Sequence, residues 1–418
     1  MINANPAPTG AYAALQIRDY RSFIFARLSI TLALQIQATV VGWQVYEITH
    51  DALSLGLIGL AEAIPAIAVS LYAGHIADII ERKKIIIFTI SLLLFCSAAL
   101  LFFTLQPNGL LLTFGAVPIY AVIFISGLAR GFLSPATFSF MPQLVPRNLY
   151  TNAITLNSTF WQAAAIVGPM LASGIYILFR LTGAYIADVA LTLTSLFFYF
   201  SIPTRSVPPA TNEEDQGIVE KISTGLKFVF KNQIVLSALS LDLFAVLFGG
   251  AVALIPVFTK EILKSGPEVL GILRSAPSIG AVLTAFYITH NPIKKDIGKK
   301  LLWCVAGFGA CMIGFGLSTN LFLSIALLTL SGAFDSVSVI VRGTLIHTLT
   351  PENMKGRVSA VNSMFIGSSN EIGAFESGFA AKLMGLVPSV IFGGCMTLAV
   401  VGITSLRAKK LVALDKVE

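Results

Sequence analysis

The stretch IIIFTISLLLFCSAALLFFTL, residues 85–105, contains no charged residue and directly follows three basic residues, Arg82, Lys83 and Lys84. A helix of about 20 mainly apolar residues is long enough to cross the hydrocarbon core of a bilayer. Basic residues beside such a helix favour its cytoplasmic end. The stretch therefore predicts a transmembrane helix that begins on the cytoplasmic side.

The remainder of the chain has the same character. Of its 418 residues, 56% are hydrophobic and 12% are charged, whereas soluble domains carry about 25% charged residues. Twelve apolar segments predict membrane spans: residues 22–47, 54–77, 85–105, 112–136, 153–179, 183–203, 233–259, 268–289, 300–318, 321–348, 357–383 and 386–406. We expect an all-α polytopic membrane protein with twelve transmembrane helices. These helices use nearly the whole chain, so any functional site lies among them.

The positions of the basic residues predict the topology. With the N-terminus in the cytoplasm, most Lys and Arg residues outside the spans fall in cytoplasmic segments, and the outer loops hold only Arg180, Lys260, Lys264 and Lys382. Cytoplasmic loops carry the excess of basic residues in membrane proteins. We expect a multi-pass protein of a bacterial inner membrane with both termini cytoplasmic. The same distribution explains the net charge of +7 without a nucleic-acid partner.

A connecting segment at residues 204–232 divides the spans into six and six. It begins with prolines and an acidic cluster and continues with apolar residues at helical spacing between Ile218 and Val229. This pattern is typical of a linker followed by an amphipathic helix on the membrane surface. We therefore expect an N-terminal six-helix bundle at residues 1–203 and a C-terminal six-helix bundle at residues 233–418.

The two predicted bundles are related in sequence. An offset of 212 residues aligns GLAEAIPAI at Gly59 with GILRSAPSI at Gly271. An offset of 205 residues aligns Gly127, Asn157, Phe160 and Gly168 with Gly332, Asn362, Phe365 and Gly373. The offsets nearly agree and both follow the order of the spans, so we interpret the halves as a duplication. Transporters built from two such repeats place their pathway at the repeat interface, near the bilayer midplane.

Ten charged residues lie inside the predicted spans, away from the span ends: Arg27, Glu62, Arg130, Asp188, Asp242, Arg274, Asp335, Arg342, Glu371 and Glu376. A charge at a lipid-facing helix centre costs about 2.5–3.5 kcal/mol on insertion scales, so most of them must face protein or a water-filled cavity. The repeat offsets align Glu62 with Arg274 and Arg130 with Asp335. We hypothesise that each of these residues faces its charge-reversed counterpart across the pathway.

The carboxylates among these charges are candidate proton carriers, because desolvation favours the neutral form of a carboxyl group. Asp242, Asp335 and Glu371 are the strongest candidates, with Glu62, Arg130, Arg274 and Arg342 as further pathway residues. The alternative expectation is that Arg130, Asp335 and Arg342 form structural ion pairs and that Asp188, nearest a helix end, reaches water.

Gln37 and Gln44 lie seven residues apart on one face of the first span. Such residues line a pathway or form hydrogen bonds that bridge neighbouring helices. Both interpretations remain open for this pair. The four cysteines are scattered through apolar spans without paired spacing, which indicates packing and predicts neither a metal site nor a cofactor.

The loop after the second span, GHIADIIERKK from Gly74, resembles motif A of the major facilitator superfamily, Gly-x-x-x-Asp-Arg-x-Gly-Arg-Lys. Ile79 replaces the first arginine of that motif and Glu81 replaces its second glycine. The resemblance implies an inner gate in which Asp78 pairs with Arg82. It also implies two pseudo-symmetric six-helix bundles.

The fifth span contains GPMLASG, which is similar to motif C of the superfamily's drug and proton antiporters through Gly168, Pro169 and Gly174. Glycine and proline permit close helix contact and a bend. Longer stretches resemble the branch of the superfamily that includes the bacterial enterobactin exporter and macrolide efflux proteins. They begin at Gly42 (GWQVYEIT), Ser240 (SLDLFAVLFGGAVALIP) and Gly356 (GRVSAVNS). The resemblance implies alternating access and export.

The chain contains no Walker loop, His-Glu-x-x-His motif or nucleophile motif, so we do not expect an enzyme. We expect a monomeric secondary transporter, without cofactor, that exports a small amphipathic molecule of the siderophore or drug class in exchange for protons. The alternatives are an importer, a uniporter, a metal-ion carrier, or a membrane scaffold that does not transport.

Overall fold

A computed structural model describes residue 10 and residues 12–106, 109–204, 218–291, 295–351 and 354–415, and at some positions in α2, α7 and α13 it describes the backbone alone. The helices are α1 Arg18–Thr49, α2 Ala52–Ile79, α3 Arg82–Leu105, α4 Leu110–Phe114, α5 Val117–Phe140, α6 Tyr150–Ser201, α7 Ile218–Lys231, α8 Gln233–Gly249, α9 Ile255–Glu261, α10 Pro267–His290, α11 Ile297–Leu317, α12 Leu321–Leu349, α13 Lys355–Met384, α14 Leu386–Arg407 and α15 Lys409–Val412. We call α1–α6 the N-terminal half and α8–α14 the C-terminal half.

Helix α3, the helix of the opening stretch, illustrates how these helices meet lipid and protein. Ile86, Ile90 and Leu93 are buried against neighbouring helices, whereas Phe88 and Phe95, seven residues apart, are 68% and 62% exposed. Residues seven apart share one face of a helix. One face of α3 therefore packs inside the protein, and the opposite face presents phenylalanines to lipid.

Ten segments of the described chain are long and apolar enough to cross a membrane. One of them, residues 147–201, contains two predicted spans, because Arg180 breaks the helical geometry of α6 with φ +57° and ψ −163°. The 30-residue helix α13 adds the remaining span and packs along α2 and α8. The predicted twelve-helix fold is confirmed.

The seventh span is not one helix, although a single segment at residues 233–259 was expected. Helix α8 ends at Gly249, a short 3-10 helix follows at Ala251–Leu254, and α9 begins at Ile255. At the break, the Gly250 carbonyl accepts a hydrogen bond from Ser377 Oγ at 3.4 Å. The Gly249-Gly250 pair lacks side chains that would hold a helix together, and it permits this interruption.

The predicted amphipathic helix forms as α7. Side chains before Ser223 lie outside the described part of the structure, as do residues 205–217 of the linker. In the described part, Val229 is fully buried in a cluster with Val235 and Val358, and Leu226 packs against this cluster. The apolar face of α7 therefore covers the ends of C-terminal helices.

The two halves repeat one helix contact. A Cβ atom at Gly127 of α5 would lie 2.8 Å from Cγ of Pro65 on α2, and one at Gly332 of α12 would lie 2.5 Å from Cα of Pro277 on α10. The sequence offsets align Gly127 with Gly332 and Pro65 with Pro277. Small residues allow close backbone approach in membranes. The aligned residues make equivalent contacts, as expected of a pseudo-symmetric pair of bundles.

Candidate transport pathway

The halves meet along two helix pairs, α2 with α13 and α6 with α10. Glycines bring the first pair together: a Cβ atom at Gly56 would lie 3.0 Å from Cα of Phe375, and one at Gly378 would lie 2.9 Å from the Ala52 carbonyl oxygen. At the second pair, the Ser275 hydroxyl donates a hydrogen bond to the Ile166 carbonyl at 2.6 Å. We call this boundary the seam.

Three charged residues collect at the middle of the seam. Arg130 on α5 forms an ion pair with Glu62 on α2, and Glu371 on α13 lies within electrostatic reach of the same guanidinium. The Arg130 side chain is 37% exposed and that of Glu62 is 18% exposed. We call Glu62, Arg130 and Glu371 the seam cluster. It joins the halves through two carboxylates that share one arginine.

The hypothesis that charge-reversed counterparts face one another is wrong. Glu62 pairs with Arg130 of its own half, whereas Arg274 donates a hydrogen bond from Nη1 to the Ala38 carbonyl of α1 at 3.0 Å. Asp335 lines a cavity inside the C-terminal half. The repeat relates these positions in sequence, but the local packing of α2 on α5 selects the partner of Glu62.

The termini face is the end of the molecule at which α1 begins and α14 ends, and the far face is the opposite end. Polar contacts join the halves at the far face. Lys260 Nζ lies 2.6 Å from Glu47 Oε1, Lys382 Nζ lies 3.0 Å from Asp51 Oδ2, and the Tyr46 hydroxyl donates to a carboxylate oxygen of Glu261 at 3.0 Å. The far ends of α1 and α2 are thereby tied to the C-terminal half.

The apolar clusters of the described residues also join the two halves near the far face. Near the far face, Trp43 of α1 packs in one cluster with Phe258 and Phe315 of the C-terminal half. Near the termini face, one described cluster around Phe23 and Tyr199 consists of N-terminal residues. Another, around Leu241 and Leu345, consists of C-terminal residues. The described seam is therefore closed by polar and apolar contacts on its far side.

A second charged group lies inside the C-terminal half. Asp242 on α8 and Arg342 on α12 form an ion pair whose side chains are 8% and 3% exposed. Beside it, Asp335 and Ser338 line a cavity of about 10 Å³, which is room for roughly one water molecule. We call these four residues the internal cluster.

The glutamines of α1 lie within the N-terminal half. Gln37 Nε2 donates to Asp188 Oδ2 at 3.2 Å and to Ser97 Oγ at 3.4 Å, and Gln44 Oε1 accepts from the Tyr185 hydroxyl at 2.5 Å. Both glutamines bridge neighbouring helices in this structure. The expectation that Asp188 reaches water is wrong, because it is 1% exposed. Its segment of α6 packs against α1 and α3, which exclude solvent.

The motif C residues lie on both sides of α6. A Cβ atom at Gly168 would lie 2.5 Å from Cβ of Gln35 on α1, so this glycine packs inside the N-terminal half. The backbone of Pro169 meets Gly271 of α10 across the seam, and Gly174 is exposed with open space around it. Pro169 therefore lies on the seam, next to the Ser275 hydrogen bond.

The residues resembling motif A lie where α2 ends and α3 begins. The side chains of Gly74 and Asp78 lie outside the described part of the structure, and Arg82 is partly buried at the start of α3. Next to it, the buried Lys83 Nζ donates to the Ile202 carbonyl at the end of α6. This contact ties α3 to α6 at the termini face.

Sequence reasoning did not find the ion pairs at the far face or the hydrogen bond of Ser275. A signal for the ion pairs exists, since Lys260 and Lys382 are two of the few basic residues predicted in outer loops. Glu47, Asp51 and Glu261 are acidic residues at the same predicted outer ends of the spans. No pattern marks Ser275, whose acceptor is a backbone carbonyl.

The model of the Major Facilitator Superfamily matches residues 23–374. The enterobactin exporter EntS of Escherichia coli strain UTI89 is 24% identical over 381 residues, which covers 90% of this chain and 88% of that protein. The EntS of Citrobacter koseri is 24% identical over 390 residues, covering 92% and 90%.

Solved structures share the fold at low sequence identity. A POT family transporter in complex with 5-aminolevulinic acid has a TM-score of 0.75 at 11% identity, covering 94% of this chain and 96% of that chain. A bacterial homologue of the iron transporter ferroportin in an inward-facing state has a TM-score of 0.70 at 16% identity, covering 95% and 99%. Both are multi-helix transporters of similar length.

Proposed function

This chain belongs to the major facilitator superfamily, and we propose that it is a secondary transporter that exports a small amphipathic molecule by proton-coupled alternating access. It resides in a bacterial inner membrane with the termini face in the cytoplasm. Residues 1–203 and 233–418 are the two moving units, and residues 204–232 connect them.

One observation carries the proposal: the contacts across the seam run from the seam cluster to the far face. The ion pairs of Lys260 and Lys382 lie at the far end, and the Ser275 hydrogen bond lies near mid-depth. Alternating access requires such a seal on one side of a central site and its exchange for a seal on the other side. Surface ion pairs suit a reversible seal, since each contributes only about 0.2–1 kcal/mol.

The basic residues support the orientation. Arg407, Lys409 and Lys410 lie at the termini face, where positive residues mark the cytoplasmic side. In this orientation the structure has its closed side towards the outside, and a solute would enter from the cytoplasm. Export is also the direction in the names of the enterobactin exporters that this chain resembles over 90% of its length. A siderophore or drug class substrate is our proposal for the cargo.

The balance of charges in the two clusters supports proton coupling. The seam cluster contains Glu62 and Glu371 around one arginine, and the internal cluster contains the ion pair of Asp242 with Arg342 together with Asp335, which lines the same cavity as Asp242. Each cluster has one carboxylate more than it has arginines, and an uncompensated buried charge is costly. A proton removes that excess charge. We propose that Glu371 and the internal cluster exchange protons as the halves move.

Proteoliposomes with an imposed pH gradient test this function. Uptake of a fluorescent amphipathic anion such as 1-anilinonaphthalene-8-sulfonate is measured for wild type, Asp242→Asn and Glu371→Gln. We expect the wild type to accumulate dye when the gradient is present and both variants to lose gradient-driven accumulation. Glu268→Gln is the control, because Glu268 is exposed at the start of α10, away from both clusters. Unchanged gradient-driven transport in both cluster variants would rule out the proposed coupling.

A further inference from the structure

Arg274 differs from the other arginines of the seam and the internal cluster in lacking a carboxylate partner. Arg130 pairs with Glu62 and Arg342 pairs with Asp242. Within the described chain, the contact of Arg274 is a single hydrogen bond from Nη1 to the Ala38 carbonyl oxygen, with no carboxylate close enough to compensate its charge. A guanidinium has five N–H donors and is charged at every physiological pH. Most donors of Arg274 therefore remain available.

The position of Arg274 is that of a residue facing the pathway. It lies two turns into α10, on the C-terminal side of the seam, and its side chain crosses to α1 of the N-terminal half. Gly42 of α1 lies close to it, because a Cβ atom there would be in van der Waals contact, at 3.6 Å, with Nη1 of Arg274 and with Cγ of Pro256. The side chain is only partly buried. A charged group without a carboxylate partner and apolar neighbours are thus combined at one point of the seam.

We infer that Arg274 binds an anionic group of the transported molecule, which makes the substrate an amphipathic anion. This inference rests on the proposed function. The planar guanidinium matches carboxylate and phosphate groups with two parallel hydrogen bonds. When the anion is bound, the arginine gains the counter-charge that the described protein does not supply.

Binding measurements with matched probes test the inference. Purified protein in phosphatidylcholine nanodiscs is titrated with 2-naphthoate and pyrenebutyrate, and in parallel with their uncharged primary amides. We expect the carboxylates to bind wild type at least about tenfold more tightly than the amides, as a charge-assisted hydrogen bond provides. Arg274→Gln removes this preference, and Arg274→Lys retains part of it, because lysine keeps the charge but not the bidentate geometry.

Arg27→Gln is the matched control. Arg27 is also a partly buried arginine within a span, and its Nη1 contacts Thr137 Oγ1 at 3.3 Å inside the N-terminal half. This variant is expected to keep the wild-type preference for carboxylates. Thermal unfolding of each variant verifies that it is folded, and Arg274→Lys provides a second variant in case Arg274→Gln does not fold.

Three results would overturn the inference. The first is wild type that binds the carboxylates no more tightly than the amides, and the second is an Arg274→Gln variant that keeps the wild-type preference. The third is stabilisation of wild type by phosphatidylglycerol in the nanodisc, lost in Arg274→Gln, without binding of either carboxylate, since the anion would then be a lipid headgroup. These measurements involve no pH gradient. Failure of proton coupling in the proteoliposomes leaves them unaffected, and their failure leaves the coupling test unaffected.

Discussion

Lys382 at the end of α13 lies 3.0 Å from Asp51, the residue that caps the start of α2, and this ion pair joins the two halves at the far face. Asp51 Oδ1 also accepts a hydrogen bond from the Leu53 backbone at 3.1 Å. One carboxylate therefore begins a helix of the N-terminal half and holds a helix of the C-terminal half. The pair of Lys260 and Glu47 makes a parallel connection between α9 and α1.

A cross-link between positions 51 and 382 is expected to stop transport. In a protein whose native cysteines are replaced, Asp51→Cys with Lys382→Cys is treated with a bifunctional methanethiosulfonate reagent. The cross-link keeps the far face closed, so dye flux in proteoliposomes falls to the background and returns after reduction. Each single cysteine variant, treated in the same way, keeps its flux. Full flux in the cross-linked double variant would show that the far face does not open during transport.

Removal of a single far-face ion pair has a smaller expected effect. Lys382→Gln removes the pair with Asp51, whose members are 51% and 34% exposed. Exposed ion pairs contribute about 0.2–1 kcal/mol, so the ratio of closed to open molecules changes by a factor of about five at most. We expect a cysteine at the far end of the seam, such as Ala52→Cys beside Gly378 of α13, to react faster with a membrane-impermeant maleimide in the Lys382→Gln background. Lys264→Gln, in the same set of outer loops, is the control.

The seam cluster predicts an asymmetry between its single variants. Arg130→Gln leaves Glu62 without its partner and removes the positive charge near Glu371, whereas Glu62→Gln leaves Arg130 with Glu371. Breaking a fully buried pair costs about 3–5 kcal/mol. The exposure of Arg130 lowers the expected cost to about 1–3 kcal/mol. Thermal unfolding in detergent is expected to show a larger loss for Arg130→Gln than for Glu62→Gln.

The double variant Glu62→Gln with Arg130→Gln distinguishes the stability that the ion pair contributes from the stability that each residue contributes through its other neighbours. If the two residues stabilise each other, its loss of stability is smaller than the sum of the two single losses. Strict additivity would indicate that the ion pair contributes nothing to stability and that Arg130 acts through Glu371 alone.

The internal cluster predicts that removing both of its paired charges leaves the protein stable but abolishes proton coupling. Arg342→Met leaves the Asp242 carboxylate buried without its partner, which costs about 3–5 kcal/mol. Asp242→Leu with Arg342→Met replaces both charges by apolar side chains, and such replacements are often neutral or stabilising. We expect the double variant to unfold near the wild-type temperature and yet to lose gradient-driven dye accumulation. A double variant that still responds to the pH gradient would remove the pair from the coupling mechanism.

The spans, the amphipathic helix and the relation between Gly127 and Gly332 follow from the sequence, because hydrophobic length and small residues act locally. The contact partners of individual side chains do not follow from the sequence. The partner of Glu62 depends on how α2 crosses α5, and the burial of Asp188 depends on α1 and α3 closing over it. These are contacts between residues far apart in the chain. The break at Gly250 can be predicted only in part. The glycine pair is visible in the sequence, but the Ser377 hydroxyl that donates to the Gly250 carbonyl is more than one hundred residues away.

Two glycines of α12 provide a matched test of the repeated helix contact. Gly332 lies directly on the backbone of Pro277, whereas Gly343 has nothing within 4 Å of the position that a Cβ atom would take. Alanine is favoured over glycine in a helix by about 0.5–1 kcal/mol, so Gly343→Ala is expected to be neutral or slightly stabilising. Gly332→Ala must instead move α12 away from α10, and forced overpacking typically costs about 1–3 kcal/mol. Thermal unfolding of the two variants in the same detergent measures the difference. If Gly332→Ala were as stable as Gly343→Ala, the contact of Gly332 with Pro277 would not be the tight one that the structure contains, and the equivalence with Gly127 and Pro65 would lose its physical basis.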